Sequence, residues 1–506
     1  MTLKPARLIA TCSETKSKVD IKAIDFILNI NGFFLGSRVM RWKSVCLLSL
    51  VSVFASAQVK EQALDNLLPY FQYKAEKEQT YLLEDRMAYY DVPGISITLF
   101  DKGEILWTHT QGVKNRAGDP VEQNTAFQVA SISKPVAALL VLKAVDEGKI
   151  TLDEDIRSLL IPELQEKAVY PVSLRQLLTH TGGFAMSGLP GFTRGEHYPS
   201  PAQVVTGEYG ATPFEQHEPS GEFVYSNPGF LLVQSVLESL YGKPIKEIAQ
   251  EKFWQPLGLE NISYEQKHAE YQGIDLAHGS QYGHWLLGDW NRHTIQAAAG
   301  LWTSTPDLAR LLLTVHQSLD TDNPNFVRAE TLSVIREPSH PFMGLTFYRH
   351  SDENGEYLFH GGINKGYESH FVLYPESGSG AVIATNGQGG DALALEIMRS
   401  LSRYYQWPNY QLNLNYLEGK REQNLSQYVG RYHYSEDFYA DILEKQGRLY
   451  VHGKGQFRYP LQQVGEGVFT AVGFVSDFEF KSGWFSDEIT SLVQKAPDGN
   501  YSADKE

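Results

Sequence analysis

Strand-forming runs stand on both sides of a long helical stretch in this chain, and that order limits how it can fold. Ile95-Ser96-Ile97-Thr98-Leu99 and Ile105-Leu106-Trp107 flank a turn at Asp101-Lys102-Gly103-Glu104, with the two-residue alternation of strands in a sheet. Far downstream, Phe371-Val372-Leu373-Tyr374 and Gly380-Ala381-Val382-Ile383-Ala384-Thr385 repeat the pattern. Between them run helical periodicities at Val136 to Val145, from Leu152 through Leu178, and at Phe230 to Tyr241, Ile245 to Phe253 and Thr305 to Leu319; another follows at Ala392 to Tyr404. A sheet whose strands come from both ends must fold back over what lies between, which predicts an α/β subdomain carrying a helical one. Residues 59–90 also carry helical periodicity ahead of the first strand.

From about Leu417 the character changes. A charged segment, Glu418 to Glu422, precedes short alternating runs such as Ala440-Asp441-Ile442-Leu443, Leu449-Tyr450-Val451, Val468-Phe469-Thr470-Ala471 and Phe478-Glu479-Phe480. Regular short strands with glycines between them predict a small β-barrel or sandwich. The stretch from Phe184 to Gly221 is rich in Gly, Pro, Ser and Tyr without periodicity, and reads either as a surface insertion or as a rim over a substrate.

At 506 residues, two folded units with appendages are expected. Residues 40–57 read as a secretory signal: Met40-Arg41-Trp42-Lys43 is basic, Val45 to Phe54 apolar, and Ala55-Ser56-Ala57 a small-residue cleavage site before Gln58. Residues 1–39 then read as a non-native extension, with translation starting at Met40. The expected organisation is a large unit over 58–410 and a barrel over 418–506, in an exported, periplasmic or secreted protein. Both cysteines, Cys12 and Cys46, precede the cleavage site, so a processed chain has no disulfide framework or cysteine nucleophile. The net charge of −16 becomes −21 on processing, because residues 1–57 hold eight Lys/Arg and only three Asp/Glu. Such an acidic surface argues against nucleic acid and anionic membranes as partners, and no apolar run after the signal is long enough for an integral membrane segment. A small molecule or peptide is the expected partner.

The chemistry concentrates at Ser131-Ile132-Ser133-Lys134, where Phe127-Gln128-Val129-Ala130 runs into the apolar helix that includes Val136 to Val145. A serine three residues before a lysine at a helix N-terminus puts hydroxyl and amine on one face, close enough to share a proton. Taken alone, Ser131 reads equally well as a helix cap and Lys134 as a solvated cation. Tyr225-Ser226-Asn227 stands before a helix, with an i, i+2 spacing that lets phenol and amide face one cleft; its plain reading is a buried tyrosine beside an Asn-Pro turn. His360-Gly361-Gly362 precedes a strand, with glycines where a substrate must approach the backbone.

Serine-x-x-lysine, tyrosine-x-asparagine and a basic-x-glycine motif in this order resemble the serine β-lactamase and penicillin-binding-protein superfamily, most of all class C β-lactamases and their CubicO-like peptidase and esterase relatives. Val92-Pro93-Gly94-Ile95-Ser96, Leu177-Leu178-Thr179-His180-Thr181-Gly182-Gly183, Pro256-Leu257-Gly258-Leu259 and Ala299-Gly300-Leu301 extend the resemblance over roughly residues 85–405. It implies an α+β fold of the β-lactamase/transpeptidase type, an antiparallel sheet flanked by helices plus an all-α subdomain, followed here by a small all-β barrel that looks lipocalin-like. It also implies Ser131 as acylated nucleophile, Lys134 as its activator and Tyr225 as proton shuttle. Asn227 would bond Lys134 or a substrate amide, and the backbone N–H groups of Ser131 and Ile363, the latter following Gly362, would hold the oxyanion. His360 stands where the lactamase pattern has lysine, and Gly361 removes a hydroxyl that helps hold a carboxylate. Both changes turn the expectation from β-lactam hydrolysis toward small peptides, amides or esters. The alternatives are a β-lactamase, and a non-catalytic binding protein that uses the same fold. The fifteen histidines include no His-Glu-x-x-His helix, so no metal and no cofactor is expected, and His180 reads as structural. Tyr282, Trp285, Trp290 and Trp302 read either as an aromatic pocket or as core.

Overall fold

The computed structural model describes residues 58–506, apart from segments at 185–190, 207–213, 267–272, 282, 411–413, 419–420, 423, 446, 455–457, 472–475, 484–485, 487 and 497–498. The signal reading, both cysteines and Tyr282 lie outside the described residues.

The elements that carry the argument are, in chain order, α1 (Leu83–Tyr89), β1 (Gly94–Asp101), β2 (Glu104–Gly112), α2 (Ser133–Asp146), α3 (Asn227–Tyr241), α4 (Thr305–Asp320), β3 (Tyr348–Asp352), β4 (Gly355–Asn364), β5 (Tyr367–Tyr374), β6 (Ser379–Thr385) and α5 (Gly390–Tyr404). The six strands form one antiparallel sheet in the order β3-β4-β5-β6-β1-β2. The first hairpin therefore joins the second strand group through the β6–β1 pair, Ile383 opposite Ile97 and Ala381 opposite Leu99.

Alternation along the strands sorts residues to the two faces. Ile95, Ile97, Leu99, Val372 and Ile383 pack with Leu393, Ile397 and Leu401 of α5, which recur at helical spacing. Phe371, Leu373 and Val382 face the other way, into the larger cluster shared with α2, α3 and α4. Ser96 and Thr98 lie on that second face, where Thr305 at the start of α4 bonds both, at 2.7 and 2.8 Å. α1 and α5 are joined by a buried ion pair in which Arg86 donates twice to Glu396, at 2.6 and 2.7 Å, and Tyr90 donates to the same carboxylate at 2.7 Å. With partners on both sides, the desolvated charges are compensated.

Three sequence expectations need correction. The segment 59–90 is not helical throughout: Phe71–Tyr73 is a strand, paired in parallel with Asn415–Leu417, about 340 residues further along the chain. The region from Leu152 to Leu178 is broken into short helical pieces at Arg157–Leu159, Pro162–Lys167 and Leu174–Leu178, each too short to show a period. The stretch read as irregular contains a short strand, Phe192–Thr193, and a turn of helix, Pro201–Val205, closed by a Ser200/Gln203 capping box.

The C-terminal region is a closed barrel of eight antiparallel strands, from Gly430–His433 to Gly499–Lys505, so no strand edge is left open. Its interior is filled by Tyr432, Ile442, Leu449, Leu461, Phe469, Phe480 and Leu492 among others. It meets the rest of the chain at the end of α1. Arg448, 2% exposed, donates to the Tyr89 carbonyl and stacks on the Tyr89 ring at 3.8 Å. Lys445 and Arg458 both reach Asp91, at 3.2 and 3.4 Å. Trp290 and Trp302 are core, edge to face at 5.7 Å; Trp285 is half-buried beside the barrel's Lys445. Among the described residues, no helix is long and apolar enough to cross a membrane.

Candidate active site

Ser131 sits on a one-turn 3-10 helix, Ala130–Ile132, between the short strand Phe127–Gln128 and α2. Ala130 before it has φ +47°, a left-handed conformation that an alanine adopts only when its surroundings impose it. Those surroundings are visible. The Ser133 hydroxyl donates to the Ala130 carbonyl at 2.5 Å and accepts from the Leu301 N–H at 2.9 Å. Tyr264 donates to the Ser133 carbonyl at 3.0 Å, and Ser369 to the Val129 carbonyl at 3.1 Å. The turn is thus fastened to the helical region on one side and to β5 on the other.

Lys134, in the first turn of α2, is fully buried. Its Nζ lies 3.1 Å from Ser131 Oγ and donates to the Ala298 carbonyl at 3.0 Å, with the Tyr225 and Phe230 rings at 4.9 and 5.6 Å. Burial pushes its pKa from the usual lysine range down to about 7, because a charge here gives up hydration with no carboxylate to compensate. Near neutral pH a large fraction of the amine is a free base.

Tyr225 precedes α3, half-buried, with its hydroxyl near enough to the Ser131 side chain to interact with it. Burial raises the phenol to about 12 and the Ser131 side chain draws it back in part, so it is protonated at neutral pH. Asn227 is the first residue of α3, capped by the Ser226 hydroxyl accepting from Gly229 N–H at 3.0 Å, and is half-buried on the Tyr225 side of the site.

His360, Gly362 and Asn364 share one face of β4, turned toward the Ser131 turn. Gly362 lies so close to that turn that a Cβ there would sit 2.1 Å from the Val129 carbonyl oxygen, so only glycine permits the approach. Asn364 bonds Gln128 at 2.9 Å and the Ala299 carbonyl at 3.0 Å. This proximity carries the Ile363 backbone to the neighbourhood of Ser131, while the Ile363 side chain is exposed. His360 is 1% exposed. Its Nδ1 donates to the Gly361 carbonyl at 2.6 Å, and burial pushes its pKa down to about 3, with the Lys134 charge acting in the same direction. The structure therefore holds His360 neutral at neutral pH.

Sequence reasoning passed over His180 as structural. It packs its ring 4.5 Å from that of Tyr225 and accepts the Ser226 N–H at Nδ1 at 3.0 Å, while its carbonyl accepts the Val224 N–H at 2.8 Å. The segment carrying Tyr225 is thus bound to His180 on both sides of the tyrosine. The signal was a histidine two residues before Gly182-Gly183, where the chain turns; His180 itself has φ +58°.

A serine between an amine and a phenol, at the junction of a six-stranded antiparallel sheet and a helical layer, can pass its proton to a neighbouring base and present an oxygen nucleophile. That combination is of the kind found in serine hydrolases that work without a histidine base. The chain belongs to the Beta-lactamase family, whose profile matches residues 81–401, within the serine β-lactamase and penicillin-binding-protein superfamily. Penicillin-binding protein 4* of Bacillus subtilis (strain 168) is 22% identical over 409 residues, 75% of this chain and 88% of that protein. Esterase EstB of Burkholderia gladioli is 40% identical over 85 residues, 16% of this chain and 22% of that protein. Several curated relatives are matched over half or less of their own length. The octameric penicillin-binding protein homologue from Pyrococcus abyssi shares the fold, with a TM-score of 0.55 at 20% identity over 83% of this chain and 98% of that one.

Proposed function

We propose that this chain is an exported serine hydrolase that cleaves small peptides, amides or esters through an acyl-Ser131 intermediate. The observation that carries the reading is Lys134 Nζ at 3.1 Å from Ser131 Oγ, with the Tyr225 hydroxyl near the same side chain. With Lys134 as a free base, the Ser131 proton moves to it, directly or through Tyr225, as the oxygen attacks the carbonyl. The proton then returns through Tyr225 to the leaving group, and the same pair activates the water that releases the acyl group. The N–H groups of Ser131 and Ile363 stabilise the oxyanion, with Gly362 permitting the close approach; losing one such donor costs about a hundredfold or more. Asn227 and His360 contact the substrate.

The neutral His360 supports peptides, amides and esters over β-lactams. A substrate carboxylate at this position would lose water without gaining a cation. The resemblance to an esterase over the segment matched by EstB points the same way. Export rests on the signal pattern at residues 40–57, and the hydrolase and barrel units are taken as 58–410 and 418–506.

The test is labelling with a small fluorophosphonate, mapped by peptide mass spectrometry, together with turnover of p-nitrophenyl acetate. Label on Ser131, and loss of both label and turnover in Ser131→Ala, is the expected result. Equal rates for wild type and Ser131→Ala would refute it and favour the binding protein.

A further inference from the structure

We infer that Phe223, His340, Phe342 and Tyr348 form a subsite for an uncharged, apolar substituent next to the bond that is cleaved. This deepens the hydrolase reading and rests on it.

The four rings form one continuous surface whose ends are the two sides of the site. From Tyr225 the contacts run through His180 to Phe223, at 4.5 and 5.5 Å between centroids. Phe223 meets His340 at 5.4 Å and Phe342 edge-on at 5.1 Å. Phe342 stacks on Tyr348 at 6.3 Å, and Tyr348 lies 5.1 Å from His360 on β4. The rings come from two chain segments far apart in sequence, one ahead of α3 and one leading into β3. None of the four joins the buried apolar clusters described above. Phe342 is 43% exposed, and Phe223, His340 and Tyr348 are half-buried. Aromatic rings gathered beside the Ser131 site, in contact with one another yet outside the core, present a face suited to a ligand.

Charge around the rings decides what kind of ligand. The cations flanking the segment, Arg336 and Arg349, are both engaged by Glu356, at 2.6 and 2.7 Å. His360 behind Tyr348 is neutral and donates to its own chain. With Arg336 and Arg349 committed to Glu356, the described residues around the rings offer an anionic group little compensation for lost water, whereas an alkyl or aryl group would shed water against them. Full burial of a methylene is worth roughly a fourfold gain in binding.

The test measures kcat/KM for p-nitrophenyl acetate, butyrate and hexanoate and for mono-p-nitrophenyl succinate, and, with the alcohol varied, for ethyl and benzyl acetate. Wild type should prefer hexanoate to acetate or benzyl to ethyl acetate by at least tenfold, and disfavour succinate against butyrate by at least tenfold. Phe342→Ala and Phe223→Ala should each reduce the apolar preference at least fivefold, chiefly through KM, while fluorophosphonate labelling of Ser131 confirms that each variant is folded. Chain-length indifference in both series, succinate equal to butyrate, or a preference untouched by both variants overturns the subsite and leaves the hydrolase reading standing. A wild-type protein that neither labels at Ser131 nor cleaves any ester removes both.

Discussion

Replacing Lys134 by methionine should make the protein more stable and less active at once, and the two effects have one cause. Lowering the amine from 10.5 to about 7 corresponds to roughly 5 kcal/mol of unfavourable free energy for the charged form in the folded state. Below pH 7 both folded and unfolded chains carry the proton, so the folded state bears that full cost. Between about 7 and 10.5 the unfolded chain holds one proton more than the folded one, so wild-type stability rises with pH. Above 10.5 the cost is gone. Methionine removes the charge but leaves the Ala298 carbonyl without its donor, a loss of about 1–3 kcal/mol. The net gain is therefore about 2–4 kcal/mol at pH 6.5, falling to nothing or to a small loss by pH 9.5. Chemical unfolding followed by tryptophan fluorescence at the two pH values measures it, and ester turnover should fall by about a hundredfold or more. A variant less stable than wild type at pH 6.5, or a gain equal at both pH values, would refute the claim that Lys134 is buried without a compensating charge.

The pH dependence of kcat/KM should show a limb rising to half its plateau near pH 7, set by loss of the Lys134 proton. His360→Gln should lower the rate and leave that midpoint in place, because a histidine held near 3 does not titrate there; a midpoint that disappears in this variant would return the limb to His360. At the barrel junction, Arg448→Ala removes the cation stacked on Tyr89 and its bond to the Tyr89 carbonyl. The barrel should then unfold in a separate transition at lower denaturant than the rest of the chain, and a profile identical to wild type would show that Arg448 does not hold the units together.

The barrel runs were legible because each buries one face, which writes a period into the sequence; the strands at Ile95 and Phe371 and the helix after Ser131 are buried on all sides, and were legible as largely apolar runs of strand and helix length between turn residues. The Phe71–Tyr73 strand was not, because three residues carry no period and its partner, Asn415–Leu417, lies beyond the whole hydrolase unit. In the site, the identities and spacing of Ser131, Lys134 and Tyr225 could be read directly. The protonation of Lys134 and His360 could not, since it depends on what packs around them: Phe230 and Ala298 around the amine, Tyr348 and the Gly361 carbonyl around the imidazole. His180 was undervalued for a related reason. Its contribution is a bond to a backbone N–H forty-six residues away, which only the folded chain makes local.

The placement of Ser131 explains why a sheet built from both ends of the chain suits this chemistry. Ser131 and Lys134 come from α2 and its approach, and Tyr225 from the segment leading into α3, whereas His360 and Gly362 belong to β4. On the proposed mechanism an acyl group on Ser131 would lie between these two bodies, so their separation would set the geometry of every step. That separation is held by backbone-level contacts: Gly362 against the Val129 carbonyl, Ser369 bonded to the same oxygen, and Asn364 tied to Gln128 and Ala299. The strained φ of Ala130 is sustained by this framework, since an isolated turn would relax and take the serine oxygen away from the amine. Because Val129, Ala130 and Ser131 are consecutive, a displacement of β4 would move the proposed oxyanion donors and nucleophile together. The folding energy of the sheet thereby becomes positional order at the reacting oxygen.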